Sequence, residues 1–98
     1  MQNKLFIKPN EITIRAARIN AGLSPIDVKR ETGIRPDRLE LIELNCGKVT
    51  WKTAIKLARL YGRRLDDIYW GKEIDYHTML NAQRSTSSSA TPIGAAAG

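Results

Sequence analysis

Residues 24–45 read SPIDVKRETGIRPDRLELIELN, and this stretch decides the fold. Ser24 is a good helix N-cap with a proline at the next position, and Gly33 ends that helix after about two turns. A second helix begins at Pro36 and ends at Asn45, a residue type that tolerates the left-handed conformation. Two short helices joined by a glycine-containing turn are typical of a helix-turn-helix unit. We therefore predict such a unit over residues 24–45, with its second helix held outward as a rigid rod.

Three further helices are predicted around this pair, because capping residues flank runs of apolar residues at helical spacing. Their bounds, from N-cap to last residue, are Asn10 to Gly22, Thr50 to Gly62 and, for a short fifth helix, Leu65 to about Trp70. The side chains expected to face the core are Ile14, Ala17, Arg18, Ala21, Val28, Thr32, Leu39, Ile42, Glu43, Trp51, Ala54, Leu57, Ala58, Tyr61, Ile68 and Tyr69. The prediction is an all-α, compact five-helix domain.

The composition divides the chain into four segments. Residues 1–9 form a basic N-terminal arm, and residues 10–71 hold the helical domain. Residues 72–83 are a candidate helical extension. The last segment, residues 84–98, reads RSTSSSATPIGAAAG. It holds too few apolar side chains to offset the entropy of ordering, so we predict a disordered tail.

Two apolar patches toward the chain ends leave their roles open. The patch Leu5-Phe6-Ile7 is either an arm or short strand at a dimer seam, or a cover over the edge of the core. The second patch either packs within one chain or forms a dimer contact, and it comprises Tyr69, Trp70, Ile74, Tyr76, Met79 and Leu80.

The residue counts exclude several function classes. The chain of 98 residues suffices for one small domain, and no apolar run approaches the ~20 residues that a membrane span needs. The single cysteine, Cys46, is predicted to be an inert thiol and fits a reducing cytoplasm. Together with one histidine, His77, which we expect to be exposed, it cannot complete a zinc site. No paired acid and base is visible, so we expect no enzymatic activity, no cofactor and no small-molecule ligand.

Basic side chains outnumber acidic ones by 16 to 10, which gives a net charge of +6 and a pI of about 9.8. Only one of these charges lies in the predicted tail, so the excess belongs to the folded part. A basic excess favours a polyanionic partner such as nucleic acid or a membrane surface. Because of the predicted helix pair, we expect the partner to be nucleic acid and expect no membrane binding.

From Ile14 to Tyr69 the sequence resembles the Cro/repressor, or XRE-type, helix-turn-helix domains of phage and bacterial regulators. The resemblance implies a lambda-repressor-like arrangement of five helices. It depends on the joint spacing of residues that fit the family pattern without a gap, namely Arg18, Gly22-Leu23-Ser24, Gly33-Ile34, Leu39, Ile42, Glu43, Leu57-Ala58, Gly62 and Leu65-Asp66.

The resemblance implies which residues would contact DNA. Base-reading positions lie at the start and on the outer face of the third helix, and they are Pro36, Asp37, Arg38, Glu40 and Leu41. Arg38 can bond guanine in a bidentate manner, and Asp37 or Glu40 can accept from a cytosine amino group. Leu41 can pack on a thymine methyl. Lys48 and Lys52 match the phosphate-contacting region of the family. Arg35, at the start of the third helix, could meet a phosphate or a base, and Lys29 and Arg30 on the second helix are further phosphate-binding candidates.

A structural ion pair is expected between Arg18 and Glu43. The resemblance implies this pair, and both residues also fall on predicted inward faces, where an unpaired charge is expensive. The pair would lock the first helix to the end of the third.

The expected function is sequence-specific DNA binding by a transcriptional regulator that reads an inverted repeat as a homodimer in the cytoplasm. Several residues depart from the family pattern: Pro25 replaces a phosphate-binding glutamine, and Lys29 replaces a small residue at the helix contact. Asp37 and Glu40 place two acids on the face that would approach DNA. The alternative is therefore a protein-interaction module, antitoxin-like or adaptor-like, with weak or no DNA binding.

Overall fold

The computed structural model describes residues 7–88, and these residues are mostly helical. Five α-helices lie in the described part: α1 (Ile14–Asn20), α2 (Pro25–Thr32), α3 (Pro36–Leu44), α4 (Trp51–Tyr61) and α5 (Glu73–Ser88). Two short strands, β1 (Ile12–Thr13) and β2 (Ile68–Tyr69), and two single 3₁₀ turns, Cys46–Lys48 and Leu65–Asp67, complete the order. None of these helices combines the length and apolarity that crossing a bilayer demands.

The predicted fifth helix from Leu65 to Trp70 is wrong. A 3₁₀ turn occupies residues 65–67, and β2 follows it and pairs in parallel with β1, so that Ile12 lies opposite Ile68. Both residues of β2 are buried, which suits a β-branched and an aromatic side chain in a covered strand. The pairing joins segments more than fifty residues apart, and local periodicity therefore carries no sign of it.

The first helix begins later than predicted. Its N-cap is Thr13 and not Asn10, and the Thr13 hydroxyl accepts from the Ala16 N–H at 3.1 Å. Glu11, expected in the first helical turn, precedes the helix, is buried, and accepts from the Lys8 N–H at 3.0 Å. The helix cannot start earlier because β1 requires an extended backbone at residues 12–13.

Helices α2 and α3 are joined by residues 33–35 and pack against each other. A capping box begins α2: the Ser24 hydroxyl accepts from the Asp27 N–H at 3.2 Å, and the Asp27 carboxylate accepts from the Ser24 N–H at 2.9 Å. Gly33 ends α2 in the left-handed region, with φ at +83°. Ile34 is buried in the same core cluster as residues from both helices. Asn45 differs from the prediction, because its φ of −152° is extended and it bridges to Lys72.

Replacing Gly33 by alanine is expected to lower the free energy of unfolding by about 1–2 kcal/mol. No heavy atom lies within 4 Å of the position that an added Cβ would take, so the cost comes from the backbone conformation alone. Gly33→Asn should cost less, because asparagine tolerates the left-handed region. Urea unfolding followed by circular dichroism measures both, and equal stability of the alanine variant and the wild type would contradict this reasoning.

The main core lies between the first four helices and β2. Its fully buried side chains are Ile14, Val28, Leu39, Leu57 and Ile68. Ala54, Ala58 and Tyr61 complete the buried face of α4. Two predicted core residues, Ala21 and Trp51, are instead exposed, because each lies in an end turn where its helix has left the core.

Helix α5 covers a second, smaller core at the N-terminal end of the chain. Ile7 is buried there with Tyr69 and Tyr76, and Met79 and Leu80 pack against them. The Gln83 side chain bonds both the N–H and the C=O of Ile7. Ile7 thus covers the edge of the core, one of the two roles left open for its patch, whereas Leu5 and Phe6 lie outside the described residues.

The segment 72–83 is helical from Glu73 onward. It belongs to a helix of its own, α5, which begins after β2 and does not extend a preceding helix. The helix continues to Ser88, so the first residues of the predicted disordered tail are helical. The rest of that predicted tail lies outside the described residues. Ile74 projects from the first turn of α5 and is exposed, unlike its apolar neighbours further along the helix.

Candidate nucleic-acid interface

The structure brings Arg18 and Glu43 together at the end of α3. The Arg18 Nε donates to Glu43 Oε2 at 2.6 Å, and the Arg18 Nη1 donates to the Leu23 carbonyl at 2.9 Å. The side chain of Glu43 is 5% exposed and that of Arg18 is 13% exposed. This largely buried pair links α1, the segment before α2 and the last turn of α3.

Sequence reasoning missed a second arginine at the same carboxylate. The Arg15 Nε lies 3.6 Å from Glu43 Oε1 and 3.1 Å from Glu73 Oε2. Glu43 therefore contacts two arginines of α1, and Arg15 also joins the start of α5. The spacing of Arg15 from Arg18, one helical turn, was the available signal for a shared partner.

The outer face of α3 is open to solvent. Asp37, Arg38, Glu40 and Leu41 are all exposed, Leu41 by 68%, and Pro36 is partly exposed at the start of the helix. The opposite face buries Leu39, Ile42 and Glu43. Helix α3 therefore presents one continuous exposed row while its other side anchors it to the core.

The charges at the start of α3 interact with one another. The Arg35 Nη2 lies 3.1 Å from Asp37 Oδ2, and both side chains are exposed. The backbone N–H of Arg38, with a contribution from the charge of Arg35, holds the pKa of the Asp37 carboxyl below its ordinary value. Among the described residues, Arg38 itself has no carboxylate within ion-pair distance.

The predicted phosphate-binding residues lie on three successive elements. Lys29 and Arg30 are exposed in the last turns of α2, where Arg30 lies 3.0 Å from Asp27. Lys48 ends the 3₁₀ turn after α3, and Lys52 lies in the first turn of α4. Both lysines are exposed and flank the helix start that the Thr50 hydroxyl caps. Arg35, paired with Asp37, begins α3.

Cys46 lies beside this region but is buried. Its Sγ is 3.0 Å from the carbonyl oxygen of Tyr69, and burial raises the pKa of the thiol to about 11. A thiol of that kind is a poor nucleophile at neutral pH, because the thiolate is the reactive form. Within residues 7–88, no group of three or more potential metal ligands is present, and His77 is exposed.

Stability is expected to fall above pH 9. The pKa of Cys46 rises on folding from 9.0 to about 11, so the unfolded chain loses this proton first and alkali favours unfolding. The contribution of the protonated thiol to the free energy of unfolding is fully present below pH 9. It decreases by about 2–3 kcal/mol by about pH 11. Burial likewise raises the pKa of Tyr61, to about 12, and extends the effect upward.

Urea unfolding of the wild type and Cys46→Ala from pH 8 to pH 11 measures this effect. The alanine variant should show the shallower loss of stability. Parallel pH profiles for the two proteins would contradict the assignment to the thiol.

No family model, curated protein or solved structure matches this chain.

Proposed function

We propose that the protein is a sequence-specific DNA-binding transcriptional regulator in which α2, residues 33–35 and α3 act as a helix-turn-helix. The observation that carries the proposal is the two-sided character of α3, which buries one face and presents the row of Asp37, Arg38, Glu40 and Leu41. An α-helix fits the ~12 Å major groove of B-DNA, where side chains reach base edges. The resemblance to XRE-type domains supports the same assignment.

Rigidity supports the use of α3 as a reading helix. The capping box at Ser24 and the left-handed Gly33 define both ends of α2. The pair between Arg18 and Glu43 fixes the far end of α3 to α1. Helix α3 follows this capped helix after three residues and is anchored at its far end, so it positions its side chains with little entropic loss on binding.

In this proposal Arg38, which has no acidic partner among the described residues, donates to guanine O6 and N7 in the major groove. Asp37 and Glu40 accept from cytosine amino groups, Leu41 contacts a thymine methyl, and Pro36 packs at the entrance of the groove. Phosphates are bound by the basic side chains around this face, namely Arg35, Lys48, Lys52, Lys29 and Arg30.

Two copies reading an inverted repeat complete the proposal. Their third helices would enter successive major grooves about 34 Å apart on one side of the duplex. Bound at such a site, the domain would act by excluding polymerase or by touching it directly. Such a regulator works where the DNA is, in the cytoplasm of a bacterial or phage-infected cell.

Salt dependence is the expected signature of this binding. With about six phosphate contacts, the logarithm of the affinity should fall against the logarithm of salt concentration with a slope of about −5. Gel retardation of genomic fragments at several salt concentrations measures the slope and should reveal discrete bound fragments. An affinity independent of salt would contradict the proposal.

The second candidate function is a protein-interaction module of antitoxin or adaptor type. It is favoured by the two acids on α3, Asp37 and Glu40, together with Leu41 and Leu44, which expose 68% and 50% of their surfaces on the same helix. Acids repel a polyanion, whereas exposed leucines suit a protein partner. The absence of retarded fragments at any salt concentration would favour this candidate over the regulator.

A further inference from the structure

The net positive charge of the chain equals the charge of one segment. Residues 46–64 contain six basic side chains and no acidic one. The rest of the chain contains ten basic and ten acidic side chains, so the net charge of +6 equals the charge of this segment. Residues 24–45, by contrast, hold four basic and five acidic side chains. The electrostatic attraction for a polyanion is therefore centred on residues 46–64, which include α4, and not on α3.

Helix α4 arranges its charges in a row. Lys52, Lys56 and Arg59 are exposed and fall within about 60° of one another around the helix axis. This row lies on the side opposite to the buried face, which consists of Ala54, Leu57, Ala58 and Tyr61. We call Lys52, Lys56 and Arg59 the α4 ridge.

The α4 ridge lacks the acidic partners that three other exposed arginines have. Arg30 lies beside Asp27, Arg35 beside Asp37 and Arg64 beside Asp66. Among the described residues no carboxylate lies within ion-pair distance of the ridge cations. Like charges at three- and four-residue spacing slightly destabilise a helix, so the row gives the isolated fold no benefit.

The ridge also lies apart from the face proposed to read bases. Helix α4 packs against α1 and α2, whereas α3 packs against α2 and α5. Residues 45–50 join α3 to α4 along the chain, and Lys52 belongs both to the ridge and to the phosphate contacts proposed for the reading face. From there the ridge runs along α4, and its far end at Arg59 is about 10 Å from Lys52 along the helix axis.

We propose that the α4 ridge is a second nucleic-acid surface, which binds the phosphodiester backbone irrespective of base sequence. An uninterrupted row of one sign matches a nucleic-acid strand, which carries one negative charge per nucleotide. Protein interfaces instead disfavour lysine at their centres. In a regulator this surface would hold the duplex during the search for a site, or bind DNA that flanks the site read by α3. The proposal does not require α3 to read bases.

The test compares two variants of the full chain that carry the same net charge. Lys56→Gln/Arg59→Gln neutralises two ridge cations, and Lys72→Gln/Arg84→Gln neutralises one exposed lysine and one exposed arginine elsewhere. Binding to a 20-base-pair duplex of arbitrary sequence is followed by fluorescence anisotropy from 50 to 200 mM salt. Thermal unfolding checks that both variants fold.

The ridge variant should lose about 1.8 from the magnitude of the salt slope, because each lost phosphate contact removes about 0.9. Its affinity at low salt should fall on the order of tens of fold, and the control should stay within a few fold of wild type. Equal losses in the two variants would overturn the proposal. It would also be overturned if the ridge substitutions weakened binding to poly-glutamate or to anionic vesicles but not to the duplex.

This result is separable from the fate of the proposed function. Sequence preference, measured as the ratio of affinities for a selected site and an arbitrary duplex, should be unchanged in the ridge variant. A ridge-dependent affinity without any sequence preference would support the ridge and contradict the regulator. A measured sequence preference, together with a salt slope that is unchanged in Lys56→Gln/Arg59→Gln, would support the regulator and contradict the ridge.

Discussion

Glu43→Gln is expected to lower the free energy of unfolding by about 3–5 kcal/mol, the cost of removing one partner from a buried ion pair. The Glu43 carboxylate is 5% exposed and accepts from Arg18 at 2.6 Å, while Arg15 approaches its other oxygen. Glutamine keeps the shape but not the charge, and it leaves the Arg18 guanidinium without its anion. Chemical denaturation at neutral pH measures the change.

Two controls make this result specific to the pair. Glu40→Gln removes an exposed acid from the same helix and should change stability by less than about 0.5 kcal/mol. The double substitution Arg18→Met/Glu43→Leu should cost less than the sum of the two single changes, because neither charge is then stranded. A Glu43→Gln variant as stable as the wild type would show that Arg18 is solvated well enough to need no partner.

Arg38→Ala is expected to relax sequence preference at one base pair of each half-site by about 1–3 kcal/mol, or roughly 5- to 150-fold, if α3 reads bases. Arg38 is exposed in the first turns of α3 and, unlike Arg35, is not neutralised by a described neighbour. A bidentate arginine discriminates guanine from other bases by geometry as well as by charge. The measurement is competition between the selected site and its single-base variants.

Lys48→Ala provides the contrasting case. A phosphate contact carries no base information, so this change should weaken binding to all sequences alike and reduce the salt slope by about one. Discrimination that is unchanged in Arg38→Ala, with affinity reduced equally for every sequence, would place Arg38 among the phosphate contacts and leave α3 without its proposed reader.

Much of the helical order was predictable because it depends on local chemistry. Ser24 and Thr50 each cap a helix through a side-chain oxygen, and Gly33 and Gly62 each end one in the left-handed region. These interactions join residues at most four positions apart, so a short stretch of sequence is enough to predict where each helix begins and ends. The predicted bounds of α2 and α4 are confirmed for this reason.

Long-range contacts explain the errors. Nothing in the sequence near Ile68 indicates that it pairs with Ile12. Because of that pairing, residues 68–69 form a strand where a fifth helix was predicted, and the first helix begins after β1. Trp51 satisfied the helical spacing of core residues, yet it is 70% exposed, because the first turn of α4 extends beyond the core. Helical spacing identifies a face but not the point along the axis at which the core ends.

The candidate site was predictable in part. Helical periodicity assigns Leu39 and Ile42 to the core, and the residues on the opposite side of α3 are therefore expected to be exposed. The partnership of Arg15 with Glu73 was not, because it depends on where α5 returns to the end of α3. The sequence shows the α4 ridge only as a run without acidic residues. The structure adds that three of its cations lie on one exposed face of α4.

Selection of bound duplexes from a random DNA pool by the purified chain tests the central claim most directly. The account predicts enrichment of an inverted repeat whose half-site centres are about 10 base pairs apart, with a guanine position in each half that Arg38→Ala no longer selects. A pool that stays random after repeated rounds, at salt concentrations low enough for the chain to bind duplex at all, would contradict the claim that α3 reads bases.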